Sequence, residues 1–377
     1  MKKRVYYLCH ISYLQISTFI LMRKIFQPVI LIMIVFMAFQ CCTSKTGRSR
    51  KPVSTVSLVP AAKNYQYGQP VELNVSTKIH DGELKEVNVF LNNEHLVRST
   101  ELEFSHKIEQ LNFLGQNTIR IVAEKEDGNS NTRLQNFMVL SDVAPVRYEF
   151  EIVREHPHST EHFTQGLEFH DGFLYEGTGE NGKSGIFKTD HLSGRILQSK
   201  MLDDKYFGEG ITILNDKLYQ LTYKTKIGFV YRLSDFAVID SFRFDSKEGW
   251  GLTNDGQSLI MSDGTGTLTW LDPETYQVEK RIQVADNQRA WEYLNELEYV
   301  NGSIWANVWT TNQIVRIDAE TGKILGYADL DGILSVMHQT QQERIDVLNG
   351  IAFNPRNGHF YVTGKLWPKL FEINIKL

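Results

Sequence analysis

The sequence has 377 residues, a formal net charge of −5 and an aromatic content of 11%. This length accommodates two domains and an export segment, and the mildly acidic balance excludes the basic footprint of a nucleic-acid-binding protein. All three cysteines lie within the first 42 residues, at positions 9, 41 and 42. The rest of the chain therefore has no disulfide, no thiolate metal site and no cysteine nucleophile.

Residues 1–42 are predicted to be an export segment. A pair of basic residues precedes an apolar run at 29–39, and this run ends just before Cys41-Cys42. A basic segment followed by an apolar stretch of this length is typical of a secretory signal. Cysteine after the stretch resembles a bacterial lipoprotein cleavage site, with the lipid on Cys41 or Cys42. The alternative is a plain transmembrane anchor, and translation can begin at Met1 or Met22.

Both interpretations place the folded part of the chain in the cell envelope, as a periplasmic or surface protein attached to the membrane. Residues 43–54 are polar and basic, and we predict that they form a tether. Neither the export segment nor the tether indicates an activity, so any activity must come from the remaining residues.

Residues 55–145 are predicted to form a small immunoglobulin-like β-sandwich. Apolar and polar residues alternate in Val71-Glu-Leu-Asn-Val and Thr118-Ile-Arg-Ile-Val-Ala, as in half-buried strands. About 90 residues is a usual size for one sandwich, and the later strands resemble such domains on bacterial surface proteins. We interpret this unit as a spacer or docking module. Its acidic cluster, Glu124, Glu126 and Asp127, is predicted to be a solvated hairpin tip, with calcium binding as the alternative.

From residue 165 onward, the same short pattern begins five times. The openings are Gln165-Gly-Leu-Glu-Phe, Glu209-Gly-Ile-Thr-Ile, Trp250-Gly-Leu-Thr, Asn295-Glu-Leu-Glu-Tyr and Asn349-Gly-Ile-Ala-Phe. They are spaced by 44, 41, 45 and 54 residues, the period of one four-stranded propeller blade. A turn and a short apolar strand follow each opening, which is typical of hairpins. We predict an all-β chain in which residues 146–377 form a five-bladed β-propeller.

This period also predicts a site, because equivalent positions of successive blades lie on a ring around the propeller axis. The first ring contains Gln165, Glu209, Trp250, Asn295 and Asn349. The second ring lies 14 to 16 residues later in each unit and contains Glu180, Tyr223, Gly264, Trp309 and Lys365. Amides, a carboxylate, a lysine and two indoles around one funnel indicate a small polar ligand held between aromatic walls.

Several of these residues have a structural alternative. Glu209 lies between two glycines, which permit close approach of a backbone or a ligand, and it could instead pin neighbouring blades together. Trp250 and Trp309 could fill the core rather than stack on a ligand. Asn295 is predicted to be catalytic and Asn349 to bind the substrate, but both could instead be strand-edge amides that hold adjacent blades.

The histidines are predicted not to form a metal centre. Positions 156, 158, 162 and 170 are all histidine and lie in or near the first blade. They lack partners at metal-ligand spacing elsewhere in the chain. We therefore expect no metal site and no cofactor.

Six segments resemble glutaminyl cyclotransferases of the plant and bacterial type. The resemblance covers about residues 148–377. The segments are Phe163-Thr-Gln165-Gly-Leu, Phe207-Gly-Glu209-Gly-Ile-Thr, Leu294-Asn295-Glu296-Leu-Glu298-Tyr, Ala306-Asn307-Val-Trp309, Val347-Leu-Asn349-Gly-Ile-Ala and Val362-Thr-Gly-Lys365-Leu-Trp367-Pro. The resemblance implies a five-bladed propeller that converts the N-terminal glutamine of peptides to pyroglutamate.

The resemblance also implies roles for individual residues. The family's acid/base glutamate corresponds to Glu209. Its substrate pocket corresponds to Phe163, Gln165, Trp250, Asn295, Trp309 and Lys365. The family commonly has tryptophan where this chain has Tyr223, so we expect a smaller wall with a hydroxyl group at that position.

The implied chemistry is an intramolecular acyl transfer that releases ammonia. One carboxylate can take a proton from the attacking amine and give it to the leaving nitrogen, and we assign that role to Glu209. Lys365, Asn295 or Gln165 would stabilise the developing oxyanion. The expected partners are peptides or proteins with N-terminal glutamine, and no metal is required.

Two other classes of function remain as alternatives. A non-catalytic surface propeller could bind peptides or glycans in an aromatic funnel, but it has no use for a glycine-flanked carboxylate facing a lysine. A metal-dependent lactonase-type propeller would need several oxygen or nitrogen ligands around one ion. With glutamine, tryptophan and glycine at ring positions, the predicted rings supply too few.

Overall fold

The computed structural model describes residues 49–335 and 344–377. This part of the chain contains 28 strands and no helix, which confirms the predicted all-β class. The predicted export segment and the first half of the predicted tether lie outside the described residues. Among the residues described, no helix has the length and apolar character needed to cross a membrane.

The first eight strands form two sheets. A three-stranded sheet has the order β1-β3-β6, and a five-stranded sheet has the order β2-β8-β7-β4-β5. The strands are β1 (Val53–Val59), β2 (Asn64–Gln66), β3 (Val71–Lys78), β4 (Leu84–Leu91), β5 (Glu94–Ser99), β6 (Glu103–Ile108), β7 (Gly115–Lys125) and β8 (Ser130–Leu140). Alternate residues such as Leu73, Val89 and Ile121 are fully buried in one shared core, as the period of two requires.

The predicted tether ends inside the first strand. β1 begins at Val53, and the Ser54 hydroxyl forms a hydrogen bond with that of Thr77 on β3 (2.9 Å). Pairing with β3 therefore orders two residues that composition alone grouped with the tether.

The acidic hairpin tip of this unit holds an ammonium group. Lys125 is 1% exposed, and its Nζ lies 2.6 Å from Asp81 Oδ1 and 3.3 Å from Asp127 Oδ2. Glu124 pairs instead with Lys85 at 2.7 Å. Two of the three carboxylates considered for calcium are therefore neutralised by lysines of the chain itself.

The remaining strands follow a regular four-strand plan. Three separate sheets contain β10–β13, β14–β17 and β18–β21 in sequence order. An eight-stranded sheet has the order β22-β23-β24-β25-β9-β28-β27-β26. The strands are β9 (Val146–Pro157), β10 (Thr164–His170), β11 (Phe173–Thr178), β12 (Gly185–Asp190), β13 (Arg195–Met201), β14 (Gly208–Leu214), β15 (Lys217–Thr222), β16 (Ile227–Arg232), β17 (Val238–Arg243), β18 (Leu252–Asn254), β19 (Leu259–Met261), β20 (Thr267–Leu271), β21 (Val278–Gln283), β22 (Leu294–Val300), β23 (Ser303–Val308), β24 (Gln313–Asp318), β25 (Ile324–Asp329), β26 (Leu348–Asn354), β27 (His359–Gly364) and β28 (Lys369–Lys376).

Strand β9 joins the two halves of the eight-stranded sheet. It pairs in parallel with β25, where Val146 lies opposite Gly326, and antiparallel with β28, where Phe150 lies opposite Ile375. The strand that enters this region thus completes the last four-stranded group and links it to the preceding one.

The first strands of the five groups pack in a closed ring. β10 contacts β14, β14 contacts β18, β18 contacts β22, β22 contacts β26, and β26 returns to β10. A side chain at Gly166 would clash with the backbone of β14, and one at Gly210 would clash with the backbone of β18. The glycines that follow the ring residues therefore permit backbone packing between inner strands.

The two parts of the chain are in contact. The Gln283 side chain accepts a hydrogen bond from Gln116 N (2.9 Å) and donates one to Gln116 O (3.0 Å). Lys323 forms an ion pair with Asp142 (2.8 Å), and Ala285 is buried in the core of the first unit. The first unit thus packs against the ends of β21 and the start of β25.

Candidate active site

A cavity of about 240 Å³ opens at the amino ends of the inner strands. It is lined by Phe163, Gln165, Phe207, Glu209, Tyr223, Trp250, Asn295, Trp309, Asp346 and Lys365. Eight of these ten residues were singled out from the sequence. The two rings of repeated positions therefore converge on one pocket, apart from three members.

Backbone irregularities place the ring residues. The antiparallel pairing of the inner strand shifts between Thr164 and Gly166, between Gly208 and Ile211, and between Leu294 and Leu297. Gln165, Glu209 and Asn295 lie within these bulges. A bulge removes a residue from the regular ladder and can redirect its side chain. These three groups line the pocket, whereas Asn349, in the equivalent shift between Leu348 and Ile351, does not.

Glu209 is a buried carboxylate at the pocket. Its residue is 3% exposed, and no described residue donates a hydrogen bond to its side chain. Burial raises the pKa of Glu209 well above its usual value; the charge of Lys365 opposes this rise, and Glu248 adds to it. A carboxyl group with a raised pKa is suited both to accept a proton and to return it.

Lys365 is a buried ammonium group in the same pocket. Burial lowers the pKa of Lys365, while the carboxylates of Glu209 and Asp346 act in the opposite direction. Its Nζ lies 4.8 Å from the centre of the Phe163 ring. The backbone of Lys365 is held by Val347 O (2.9 Å) and by Asp346 N (3.1 Å). The lysine and the glutamate therefore face one small polar space, and each moderates the other's charge.

Aromatic rings form the walls. Trp250 and Trp309 meet edge to face with centroids 5.6 Å apart, and Trp250 Nε1 donates to Glu248 (3.0 Å). Tyr223 packs on Phe207 at 5.7 Å. Trp309 is 38% exposed, so it lies at the mouth rather than in the core. This exposure favours the interpretation that Trp250 and Trp309 stack on a ligand over the interpretation that they fill the core.

The amides divide into one that faces the pocket and one that supports it. Asn295 lines the pocket, and its Oδ1 is buried without a partner among the described residues. Asn349 does not line the pocket. Its Nδ2 donates to Thr164 O (2.9 Å) and to Gln165 Oε1 (3.1 Å), so it fixes the backbone and amide of β10. The predicted substrate contact of Asn349 is thus replaced by a supporting role.

Two members of the second ring also lie outside the pocket lining. Glu180 pairs with Lys183 (3.3 Å) and Arg344 (2.6 Å). Gly264 lies directly beneath the indole of Trp250, where a side chain would clash with the ring. Glycine at that position makes room for the tryptophan.

Sequence reasoning missed Phe207 and Asp346 as lining residues. Phe207 precedes Glu209 by two positions, as Phe163 precedes Gln165, so the repeat itself contained the signal. Asp346 has no counterpart in the other repeats and reaches the pocket from the segment before β26.

The expectation that the histidines stay apart is wrong. Ligand atoms of His158, His162 and Glu176 all lie within 4.8 Å of one another. The sequence did not reveal this group, because Glu176 lies on the neighbouring strand β11 and only the fold brings it next to the two histidines. These three residues could hold a metal ion by their chemistry, but they lie outside the pocket lining.

Comparisons with known proteins identify one family. The glutamine cyclotransferase family model matches residues 129–375. A glutaminyl-peptide cyclotransferase of Arabidopsis thaliana is 42% identical over 229 residues, which cover 60% of this chain and 72% of that protein. The crystal structure of Myxococcus xanthus glutaminyl cyclase is similar with a TM-score of 0.57 and 35% identity, over 62% of this chain and 98% of that one. The chain therefore belongs to the glutamine cyclotransferase family.

Proposed function

We propose that this protein is a glutaminyl-peptide cyclotransferase whose active site is the pocket around Glu209. The observation that carries the proposal is a buried carboxylate, free of hydrogen-bond donors among the described residues, beside a buried lysine and between aromatic walls. Family membership supports the same reaction. A non-catalytic binding pocket has no need for a carboxyl group with a raised pKa beside a lysine with a lowered pKa.

The reaction closes a five-membered ring within the substrate. The α-amine of an N-terminal glutamine attacks the side-chain amide carbon, the new C–N bond forms, and the old C–N bond breaks to release ammonia. Holding both groups in register can supply roughly 7–11 kcal/mol of the barrier. The pocket of about 240 Å³ is sized to restrict one compact side chain.

Glu209 carries the proton between the two nitrogens. Its raised pKa lets it hold a proton at a higher pH than an ordinary carboxylate does. It can thus accept the proton that the attacking amine loses and return it to the departing nitrogen. Desolvation is the main cause of the raised pKa, so closing the pocket over a substrate strengthens this effect.

Lys365 and Asn295 face the charge that develops during the reaction. The Lys365 ammonium supplies positive charge toward the oxyanion, in a space where water is excluded and such interactions are strong. The buried Asn295 Oδ1 lacks a protein partner and is suited to accept a hydrogen bond from a substrate N–H. Phe163, Trp250 and Trp309 clamp the substrate, with Tyr223 at the position where the family commonly has tryptophan.

The same electrostatics favour glutamine over glutamate. A substrate glutamate would bring a second carboxylate beside Glu209, where burial already opposes negative charge. The neutral glutamine amide carries no such cost.

We propose that the cyclisation itself proceeds without a metal ion. The pocket-lining side chains already supply a proton carrier and a cation for the oxyanion. The His158, His162 and Glu176 group lies outside that lining, so an ion there would not touch the reacting atoms.

We further propose the finer architecture. The closed ring of five inner strands, each the first of a four-stranded group, supports a five-bladed propeller from about residue 146 to 377. The two sheets of β1–β8 around one core support an immunoglobulin-like sandwich before it, serving as a spacer. The export segment is proposed to anchor the protein in the cell envelope through a lipid on Cys41 or Cys42, on the basis of the sequence pattern alone.

The direct test is ammonia release from a Gln-initiated dipeptide by the chain from residue 49 onward. We expect turnover with glutamine and none with the corresponding Glu-initiated dipeptide. A folded protein that binds the glutamine dipeptide without releasing ammonia would favour the binding-only alternative.

A further inference from the structure

The histidine group near the pocket lies between two segments that carry pocket residues. His158 and His162 belong to the connection between β9 and β10, which also contains Phe163. Glu176 comes from β11, and the opposite side is the connection between β27 and β28, which contains Lys365. Main-chain hydrogen bonds join these connections, from His158 N to Pro368 O (3.1 Å) and from Leu366 N to His162 O (2.8 Å).

Three side chains donate hydrogen bonds to the Glu176 carboxylate. Oε1 accepts from Thr164 Oγ1 (2.7 Å) and from His158 Nε2 (3.1 Å). Oε2 accepts from His162 Nδ1 (2.7 Å). The side chains of His158 and Glu176 are 4% and 2% exposed, so water does not supply these bonds. A buried carboxylate with this many donors is held in one orientation.

The second nitrogen of His158 decides the charge of the network. His158 Nδ1 lies 2.7 Å from Trp367 O, and a carbonyl oxygen can only accept. Nδ1 therefore carries a proton. His158 Nε2 faces the ionised Glu176, which also can only accept, so Nε2 carries a proton as well. The two contacts together require His158 to be a buried imidazolium ion.

The electrostatics of the neighbours agree with this charge. Burial raises the pKa of Glu176, but the charges and hydrogen bonds of His162 and His158 outweigh it and hold the carboxyl well below its usual range. Burial lowers the pKa of His162, and Glu176 with a smaller effect of Glu161 raises it overall. Glu176 on β11 and His162 are thus the titratable groups that face His158 across the network, with Glu161 beyond His162 and Lys365 on the facing connection.

We propose that His158 is a positioning residue whose imidazolium ion, clamped between Glu176 and Trp367 O, holds the Lys365 connection against the Phe163 segment. Trp367 is two residues from Lys365, and Phe163 lies between His162 and Thr164, both bound to Glu176. The Lys365 ammonium sits over the Phe163 ring at 4.8 Å. Removal of the His158 side chain would break the link from Glu176 to Trp367 O and free the connection that carries the lysine.

This inference rests on the proposed cyclase function, because the connection that His158 holds carries Lys365. The network stabilises the fold above the usual carboxyl pKa, about 4.5, because the Glu176 pKa is depressed. It loses this stabilisation as pH rises through the raised pKa of His162.

The test compares His158→Asn with Glu176→Gln and with His170→Asn as the matched control. His170 is a surface histidine of β10 that lies 3.6 Å from Asp171 and takes no part in the network. Asparagine at position 158 can still donate to Trp367 O but cannot be a cation. We expect kcat/KM to fall by about tenfold or more in the first two variants, as for small misplacements of catalytic groups. We also expect the loss to appear mainly in kcat, because Lys365 faces the charge that develops during the reaction, and we expect the control to keep both kcat and KM.

A second measurement does not depend on activity. Nitrogen NMR of histidine-labelled protein at pH 7, assigned with His158→Asn, should show both ring nitrogens of His158 protonated. A neutral His158 ring would overturn the proposal, even if the protein is an active cyclase. Conversely, an inactive wild type with a protonated His158 would reject the cyclase function but would leave the proposed clamp unchallenged.

Metal analysis supplies the last outcome. One divalent ion per wild-type chain that is lost in both network variants would replace the clamp with a metal centre.

Discussion

Two buried glutamates of the inner ring, Glu209 on β14 and Glu296 on β22, show what separates a reactive group from a structural one. Burial raises the pKa of both. Glu296, however, accepts hydrogen bonds from Leu167 N (3.0 Å) and Ile351 N (2.8 Å), and so joins β10 and β26 to its own strand. Glu209 has no such donor among the described residues. Burial supplies the perturbed pKa in both cases, but only the unsatisfied carboxylate is available to a substrate.

The contrast continues along β22. Glu298 is also buried, with a raised pKa, and accepts from Phe353 N (2.8 Å). Glu168 on β10 accepts from Ile213 N (2.9 Å), and burial raises its pKa to about 7. A ring of carboxylates thus ties inner strands together through backbone amides, while the pocket end keeps one carboxylate for chemistry. A perturbed pKa alone would have selected all four.

The largest expected effect comes from Glu209→Gln, which tests whether Glu209 is the reactive member of the pair. The substitution keeps shape and removes the proton carrier, so kcat should fall by about 10²-fold or more, with little change in KM. Glu180→Gln, at a glutamate beside the pocket but not lining it, should retain turnover. Steady-state kinetics of both variants measure the difference. Near-wild-type turnover in folded Glu209→Gln would end the assignment.

The Tm of Glu209→Gln relative to wild type should also depend on pH, in a direction that the raised pKa defines. Because the folded-state pKa of Glu209 is raised, its contribution to stability is full below the usual carboxyl pKa and is lost as pH rises through the folded value. Glu209→Gln should therefore match or exceed the wild-type Tm at pH 8 and lose that advantage toward pH 4.5. If Glu209 were a structural pin, the variant would melt lower throughout.

Glu296→Gln tests the structural side and should invert the pattern. The amide nitrogen of glutamine would face one of the two backbone N–H donors, leaving that donor unsatisfied. We expect a loss of about 1–3 kcal/mol in the free energy of unfolding, measured by urea denaturation. The kcat of the remaining folded protein should stay within a few-fold of wild type. A severe loss of kcat without a loss of stability would show that Glu296 has a direct part in the reaction.

Tyr223→Trp tests the aromatic wall of the pocket and should change kcat/KM only slightly. Tyr223 packs on Phe207 with its other side near Lys224, and it is not fully buried, so a larger ring can be accommodated. We expect kcat/KM to be retained or raised. Tyr206→Trp, at a neighbouring tyrosine that packs on Phe229 instead, is the control. A folded but inactive Tyr223→Trp enzyme would show that this pocket is built around tyrosine.

EDTA is expected to have the smallest effect. The reacting groups assigned here are side chains of the pocket, so activity should survive chelation. Loss of activity that returns on addition of one divalent ion would contradict this expectation. The variants His158→Asn and Glu176→Gln would then show whether the histidine group holds that ion.

Short-range patterns in the sequence determined much of this protein. Turn dipeptides and alternating strands predict an all-β chain, because a strand's period and its hairpins depend on neighbouring residues. The repeat spacing aligned Gln165, Glu209, Trp250 and Asn295, and these four residues do line one pocket. The second ring of the repeat placed Tyr223, Trp309 and Lys365 there as well, and the family resemblance added Phe163.

Only the tertiary structure decided which way each buried group faces and what satisfies it. Asn349 and Glu296 have ring-like sequence contexts, but their partners lie 184 and 129 residues away, on β10. Asp346 enters the pocket from outside the repeat, and Glu176 on β11 contacts His158 in the connection between β9 and β10. A repeat fixes positions along each strand, whereas hydrogen-bond satisfaction depends on atoms that only the closed ring brings together.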